Sequence, residues 1–546
     1  MHINLFNKNN LIILIFFVFG IVHWFFFFFF VDYYQYEKHI FSKSDYKNIS
    51  QISSINNNKF FFNNPYSVRA LADKYYKRDY VFFKKILEKK DFKKIFQKKI
   101  FTFSDWPNEH NALAVIKYSL ENNIIPYHAP HSLGPGPPKD RWMAGPINVI
   151  TPQIILLKFV DTQTFFFINL LLMYSIGFLG CLLFKYRFNI SNFPFFILLL
   201  FYNFNGYFVE KIAAYGPHYM GYYILPYCIY FLFVIVNSDY KDKESQLYYG
   251  TLFGLAHSLI FYQGTLHLYT ITLTFLLFWY FFNFRNYIFL FFSLFFSFSL
   301  SSIKLLPAAF AYGTTGNFHY WEGGGYSTLP SIIENMIVVK NIFHYPPFSQ
   351  WETSLYISVF GLLILTLFVF IKSFDDRKSD INLRSFIFPL ILITFISLRF
   401  YKHLIIPHWI PLLSSESLTS RYMIIPLLIL TFIAIINLNH YLIMNKENVF
   451  NKIFIYSSGI LCFVLIMNHS RVWRMHRVQS ESDWYNILTS NQQNPLLDGI
   501  VNNNYNDKLY IYICWAGVAI SFFSLILLIL CFIYKKSIAN KLPRVL

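Results

Sequence analysis

The eight residues from Ser104 to Asn111 hold a dense group of side chains suited to acid and base chemistry. Asp105 and Glu109 supply two carboxylates and His110 an imidazole. Pro107 predicts a helix that starts here with Asp105 as its cap, and the four-residue spacing points Asp105 and Glu109 the same way. Both acids could simply cap the helix and complement its dipole. Alternatively, one of them could take a proton from a hydroxyl during a group transfer.

The helix expected to position these groups continues through Ala112, Ile116 and Leu120, whose spacing gives it one apolar side. This helix belongs to segment 32–150, the one long polar stretch of the chain. Earlier in the segment, residues 74–100 form a basic amphipathic stretch, which we expect to lie among lipid head groups. The Pro- and Gly-rich run that closes the segment predicts turns, so it must be held by whatever it packs on.

Composition indicates a membrane protein. The chain has 546 residues, of which 55% are hydrophobic, 22% aromatic and only 14% charged. Many apolar runs are about 20 residues long, enough to cross a bilayer. The predicted fold is an all-α polytopic membrane protein with about 12 transmembrane helices. The predicted spans lie near 11–31, 164–184, 193–209, 218–237, 248–264, 266–282, 287–312, 354–371, 385–400, 421–443, 453–468 and 509–534.

Lysine and arginine in the short loops predict the orientation, because such residues are enriched on the cytoplasmic side. They favour both termini in the cytoplasm of a plasma (inner) membrane protein, although Arg471, Arg474 and Arg477 in one outer loop run against this. The predicted organisation is a first span at 1–31, an extracytoplasmic loop at 32–150, and a multi-helix domain at 151–546. Its outer loops are 313–352, 401–420 and 469–508. The chemically rich loops then share the extracytoplasmic face, where we expect the activity.

Charge and metal-ligand content narrow the partners. The formal charge is +18, but the basic residues gather beside apolar runs, so anionic membrane lipids are the expected partner and nucleic acid is not. The five cysteines lie in apolar segments without close spacing, which argues against disulfides and a cysteine zinc site. His110, His128 and His131, with the two acids, could surround Mg²⁺ or Mn²⁺. Their spacing matches no metal motif, so we predict no cofactor.

Candidate ligand-binding groups lie near the outer ends of later spans. Arg421 opens a span, and its guanidinium suits a lipid phosphate, or else an ion pair with Glu416 that fixes the loop. Lys304 within an apolar span needs a cavity, a partner or a bound anion, unless it extends to the interface. Arg399 adds charge at the same level as Arg421. Trp321 and Glu322 could contact a sugar, although tryptophan also populates membrane interfaces.

The chain resembles the GT-C superfamily of polytopic membrane glycosyltransferases, and within it the YfhO-like bacterial membrane proteins. Short motifs carry the resemblance: Asp105-Trp106-Pro107-x-Glu109, residues 123–127, residues 176–180, Lys304-Leu305-Leu306-Pro307, and 416–422. It implies transfer of a sugar from a polyprenyl-phosphate or polyprenyl-diphosphate donor to a lipid or envelope glycan or protein acceptor. It also implies a first-loop carboxylate as base, which matches Asp105, with Glu109 as the substitute. Asp32, directly after the first span, is an alternative position for that acid.

Two other functions stay open. A transporter or flippase of a lipid-linked saccharide would place ionisable groups along a path at mid-membrane and would show internal repeats, of which we find none convincing. A non-catalytic assembly subunit would use Asp105 and Glu109 only structurally. The glycosyltransferase is the function we expect.

Overall fold

Helices make up the regular structure of the described residues, where the only β-structure is two isolated bridges, His128 with Arg141 and Tyr326 with Leu398. The structure is a computed structural model. It describes residues 8–29, 106–128, 141–145, 149–214, 217–238, 242–312, 324–339, 353–371, 384–403, 416, 418–445, 448–475 and 507–539. The predicted all-α fold is confirmed for these residues.

The α-helices are α1 (Lys8–Phe29), α2 (Trp106–Glu121), α3 (Thr162–Arg187), α4 (Asn192–Asn203), α5 (Gly206–Ala214), α6 (Leu225–Val236), α7 (Lys243–Tyr262), α8 (Leu266–Phe282), α9 (Tyr287–Leu300), α10 (Ser302–Tyr312), α11 (Leu329–Ile337), α12 (Ser358–Leu365), α13 (Arg384–Ile396), α14 (Ile424–Met444), α15 (Val449–Met475) and α16 (Lys508–Ala539). Short 3-10 helices occur between them, including Pro152–Lys158, Pro217–Ile224, Arg399–His403 and Thr419–Met423.

Several of these helices can cross a membrane. Six are long and apolar enough by themselves, and the number becomes eight if two bent pairs each count as one span. The bent pairs are α4 with α5, at 41°, and α8 with α9, at 117°. Shorter apolar helices lie at Ser302–Ala311, Ser358–Val369 and Ser385–Ile396. Membrane character is therefore confirmed by length and composition, whereas a total of twelve spans is not.

Burial separates the central helices from the peripheral ones. The apolar window of the span Thr419–Met444, which contains α14, is 89% buried within the protein, against 17% for the window in α16. Large side chains such as Phe522, Phe523 and Leu530 of α16 are exposed. In a bilayer such a surface faces lipid tails. We conclude that α14 lies at the centre of the helical domain and α16 at its edge.

Capping explains where α3 begins and ends. Asp161 accepts a hydrogen bond from Thr164 N at 2.9 Å, which satisfies a donor of the first turn. At the other end, Lys185 Nζ donates to Ile190 O at 2.7 Å and to Asn192 Oδ1 at 2.9 Å. These bonds hold the tight turn into α4, so a basic residue predicted to face the cytoplasm also closes a helix pair.

The bend between α4 and α5 has identifiable causes. Asn205 Oδ1 accepts from Phe208 N at 3.0 Å and caps α5. Gly206 N donates to Tyr356 O at 2.8 Å. A Cβ atom at position 206 would lie 2.3 Å from Ser354 Oγ and 2.5 Å from Tyr356 N, so the close approach requires glycine. The 353–357 segment thus contacts the break directly.

Candidate functional site

The first-loop acids lie largely beyond what the structure describes. Asp105 lies outside the described residues, and for Glu109 and His110 only the helical backbone is described. The predicted helix is confirmed as α2, with Ala112 and Ile116 buried. Helix α2 packs on Pro152–Lys158, on α3 and on the 3-10 helix Pro217–Ile224. The first-loop helix therefore contacts the 3-10 segment that contributes to the cluster described next.

A buried polar cluster lies at the start of the α14 span, and we call it the Glu416 cluster. Its members are Glu416, Arg421, His267, Tyr219 and Lys211. Arg421 Nη1 lies 3.3 Å from Glu416 Oε1, and the same oxygen accepts from Leu418 N at 3.0 Å. Both side chains of the ion pair are buried. The ion pair predicted as one explanation of Arg421 is therefore present.

The second oxygen of Glu416 is used by a histidine. Glu416 Oε2 lies 2.6 Å from His267 Nδ1, at the start of α8. The carboxylate is only 1% exposed, whereas the His267 side chain is 29% exposed. Burial by itself opposes ionisation, but the charges of His267 and Arg421 and the hydrogen bond from His267 outweigh it and lower the pKa of Glu416 to about 2. Glu416 is thus a carboxylate near neutral pH.

An aromatic ring joins the ion pair to a second cation. The guanidinium Cζ of Arg421 lies 5.9 Å from the Tyr219 ring centroid, and Lys211 Nζ lies 5.4 Å from it. The His267 ring lies nearly parallel to Tyr219, with centroids 6.4 Å apart. Tyr207 adds a second ring, 5.6 Å from Lys211 Nζ. Cation–π contacts of this kind stabilise buried positive charge and position it at the edge of a site.

Backbone contacts bring Gly324 to Tyr326, in a loop predicted to lie outside, and Arg399 next to the cluster. Ser420 N donates to Gly324 O at 2.9 Å, and Arg399 N donates to Tyr326 O at 2.7 Å. A Cβ atom at Gly325 would lie 2.5 Å from Thr419 Oγ1 and 2.8 Å from Arg399 Cα. The predicted proximity of Arg399 to the Arg421 turn is therefore present, although the Arg399 side chain is exposed. Trp321 and Glu322 of the same loop lie outside the described residues.

Lys304 occupies a different place, the junction of α9 and α10. Its Nζ donates to Phe261 O at 3.2 Å and lies 4.9 Å from the centroid of the Phe261 ring. The side chain is buried, so extension to the interface does not describe it. Lys304 is held by the end of α7 rather than by an outer loop.

A second buried acid was missed by the sequence analysis. Glu210 precedes Lys211 on α5, and both are fully buried. Glu210 Oε1 lies 3.0 Å from His469 Nε2 on α15, and the His469 ring stacks on Tyr356 with centroids 4.4 Å apart. Burial, with a smaller effect of the Glu210 charge, raises the pKa of Tyr326 well above its usual value. The signal available in the sequence was two adjacent charges within an apolar run.

A partly buried ion pair holds the segment on either side of the Pro- and Gly-rich run. Arg141 Nε donates to Asp507 Oδ2 at 2.8 Å, just before α16. The guanidinium also lies 4.9 Å from the Phe310 ring centroid and 5.2 Å from that of Tyr510. His128 Nε2 lies 3.9 Å from the same carboxylate oxygen. These contacts join the end of the first loop to α10 and α16.

Metal ligands do not gather in the part of the chain that the structure covers. Among those residues no group of three or more histidine, cysteine, aspartate or glutamate side chains could hold a metal ion. The cysteines are unbridged, four of them buried. Of the residues considered for Mg²⁺ or Mn²⁺, Asp105 and His131 lie outside the described residues, and only His128 has a described side chain.

No protein-family model, curated protein or solved structure matches this chain. The helices define the class of protein instead: in the described ranges the chain is all-α, with six to eight helices long and apolar enough to cross a membrane. The Glu416 cluster lies where α8 and the α14 span begin.

Proposed function

We propose that this chain is a GT-C-type membrane glycosyltransferase that takes a sugar from a polyprenyl-phosphate or polyprenyl-diphosphate carrier on the outer face of the membrane. The Glu416 cluster carries the proposal, because it holds Arg421 and Lys211 on one tyrosine ring. A departing phosphate builds up negative charge, and fixed guanidinium and ammonium groups stabilise such charge. An interfacial location suits a donor whose lipid tail stays in the bilayer.

Contacts between helix ends support the alternation of spans that this proposal assumes. Asn439 of α14 accepts from Ser191 N at 2.8 Å, and Asn283 Nδ2 donates to Ser385 O at 3.1 Å. All these residues belong to ends that the twelve-span prediction assigns to the cytoplasm. His267 and Glu416, which are also in contact, belong to ends assigned to the outside. The contacts therefore agree with alternating spans.

In this proposal different residues bind the donor phosphate and take the proton from the acceptor. Arg421 and Lys211 bind the phosphate of the donor. The resemblance implies Asp105 or Glu109 as one candidate for the base that accepts the hydroxyl proton, and α2 contacts the Pro217–Ile224 segment beside the cluster. Trp321, Glu322 and His110 remain candidates for sugar or acceptor contacts, and Arg399 for a lipid phosphate. The proposal requires no metal.

Reconstitution tests the proposal. Purified protein in liposomes, given a mixed pool of polyprenyl-linked sugars and acceptors, should consume the donor and release polyprenyl phosphate or polyprenyl diphosphate, according to the donor. Arg421→Gln should lower kcat/KM by about 100-fold or more, since it removes one fixed cation from the leaving group. Arg187→Gln, at the exposed cytoplasmic end of α3, is the matched control and should keep full activity. Equal activity of Arg421→Gln and Arg187→Gln would remove the phosphate-binding role.

A transporter of lipid-linked saccharide is the second candidate, favoured by the broken α4–α5 span with buried Glu210 and Lys211. Broken helices with buried ionisable groups are typical of transporter binding sites. A fluorescent lipid-linked sugar separates the two functions in the same liposomes. Movement of the intact lipid between leaflets without sugar release would favour transport. The absence of both sugar release and lipid movement would favour an assembly subunit.

A further inference from the structure

His267 and Glu416 form a pair in which a buried acid holds the ring of a partly exposed histidine. An ionised carboxylate only accepts hydrogen bonds, so the Nδ1 atom of His267, 2.6 Å from Glu416 Oε2, carries the hydrogen. In the neutral ring the basic lone pair is therefore on Nε2. A carboxylate that selects the tautomer and orients the ring is the arrangement by which a histidine becomes an efficient base.

We propose that His267 is the general base of the transfer and that Glu416 is its positioning residue, in place of the first-loop carboxylates. This inference rests on the proposed glycosyltransferase function and names the group that accepts the proton. Arg421 lies on the other oxygen of the same carboxylate, so one buried acid would align the base and the phosphate-binding cation together.

The oxygen of the acceptor hydroxyl attacks the anomeric carbon and forms the new glycosidic bond, while His267 Nε2 takes the hydroxyl proton. The bond between the anomeric carbon and the phosphate oxygen breaks, and its electron pair leaves with the phosphate beside Arg421. The imidazolium then passes its proton to solvent. The negative charge of Glu416 stabilises the imidazolium while it exists.

Two other histidines provide a comparison within the chain. His257 is fully buried, and both ring nitrogens are occupied, Nδ1 by Ser297 Oγ at 2.6 Å and Nε2 by Tyr269 O at 2.8 Å. His257 therefore has a structural role. His440 is exposed near the C-terminal end of α14, whereas the cluster lies where that span begins. His267 differs from both in combining an oriented ring with partial exposure.

The charged and titratable groups around His267 come from three directions. Glu416 and Arg421 lie on the segment that leads into α14, Tyr219 lies on the Pro217–Ile224 segment, and Lys211 lies on α5 behind Tyr219. Removing the carboxylate leaves only positive charges in this set. The imidazolium is then disfavoured, so the pH at which the base becomes active should fall.

Activity with the donor identified by reconstitution tests the assignment. His267→Gln should lower kcat by about 100-fold to 10,000-fold with little change in KM for the donor. Asp105→Asn and Glu109→Gln test the rival base, and each should lower kcat less than His267→Gln does. His440→Gln is the control and should keep full activity. If Asp105→Asn or Glu109→Gln abolishes transfer while His267→Gln remains active, the assignment to His267 is overturned and the proposed function stands. If the wild-type protein transfers no sugar, the assignment to His267 and the proposed function are both wrong.

The positioning role of Glu416 is tested by a measurement that a merely structural role would leave unchanged, the dependence of the rate on pH. Glu416→Gln keeps a hydrogen-bond acceptor but loses the charge, so the acidic limb of the rate against pH should move to lower pH. Glu416→Asp should partly restore the wild-type profile. If Glu416→Gln lowers the rate equally at every pH, the positioning role is wrong.

Chemical labelling keeps the test valid where a variant folds poorly. Diethyl pyrocarbonate, followed by mass spectrometry of the intact protein in detergent, should modify His267 and His440 but not His257. In Glu416→Gln the onset of His267 modification should move to lower pH, while His440 serves as the reference for an exposed histidine. Continued protection of the fully buried His257 shows that the variant is folded. A His267 that resists modification at every pH would overturn the assignment of an accessible base.

Discussion

The two carboxylate oxygens of Glu416 contact two different side chains. One oxygen faces Arg421 and the other His267, and the side chain is almost completely buried. A buried charge of this kind is tolerated only when its partners satisfy it, and removing one partner leaves the other uncompensated. The free energy of unfolding that the cluster contributes should therefore depend on pH.

The stability that Glu416 provides should disappear in acid. Its pKa is about 2 in the folded protein against an ordinary value of 4.5, so the unfolded chain binds the extra proton first. The contribution is complete above pH of about 5 and is lost as the pH falls towards 2. At neutral pH Glu416→Gln should unfold more easily by about 3 to 5 kcal/mol.

Thermal unfolding in detergent at a series of pH values measures this effect. The gap between the wild type and Glu416→Gln should narrow steadily from pH of about 5 downwards. Glu244→Gln, an exposed acid in the first turn of α7, is the matched control and should differ from the wild type by less than about 0.5 kcal/mol. A gap for Glu416→Gln that stays constant with pH would contradict the ion-pair assignment.

At the scale of elements, the break between α4 and α5 determines where the second cation lies. A continuous helix would carry Glu210 and Lys211 along the direction of α4, whereas the 41° bend turns them towards α15 and the Pro217–Ile224 segment. The bend depends on Gly206, because the backbone of Tyr356 lies where a Cβ atom would be.

Gly206→Ala should therefore disturb the cluster. The new methyl group meets backbone at 2.5 Å, so the 353–357 segment or α5 must move. Overpacking of this kind costs about 1 to 3 kcal/mol. The variant should unfold at a lower temperature and, if the proposed function holds, lose activity.

The matched control is Gly361→Ala, also at a buried glycine. Its nearest neighbours are ring atoms of Phe201 at 3.1 Å, a side chain that can shift slightly. This variant should cost less than about 1 kcal/mol. If both variants are equally stable, the bend does not depend on the close approach at position 206.

At the scale of the whole molecule, charged contacts occur at the helix ends assigned to the outside. The Glu416 cluster and the Arg141–Asp507 pair both belong to that side of the prediction. The ends assigned to the cytoplasm are joined by asparagine and lysine bonds to backbone, such as Lys185 with Ile190. The two faces would then differ in chemistry as well as in loop length.

Labelling of introduced cysteines tests this arrangement. In a background without native cysteines, Leu329→Cys should react with a membrane-impermeant maleimide in intact cells, because Leu329 is exposed and assigned to the outside. Lys243→Cys, at the start of α7, should react only after permeabilisation. Reaction of both from the same side would contradict alternating spans and the outer location of the cluster.

Some features could be predicted from local sequence because they depend on local physics. The helix after Asp105 follows from a cap, a proline and an apolar stripe, and it is present as α2. The ion pair of Arg421 with Glu416 spans five residues, so sequence proximity was enough to suggest it. Spans were harder, because aromatic-rich runs that bend or break differ little in composition from straight ones. The run 287–312, predicted as one span, is divided between α9 and α10, and the run 193–209 bends by 41° between α4 and α5.

By itself, the sequence determined the class of this protein. Long apolar runs must be removed from water, and a helical membrane domain is one of the few structures that can do so. It also placed Arg421 at the end of a span next to its acid. Only the tertiary structure decided which distant groups join that pair. His267 lies 149 residues from Glu416 along the chain, and Lys211 reaches the cluster through a bend and a shared tyrosine. Such contacts depend on how helices pack, which no local pattern records.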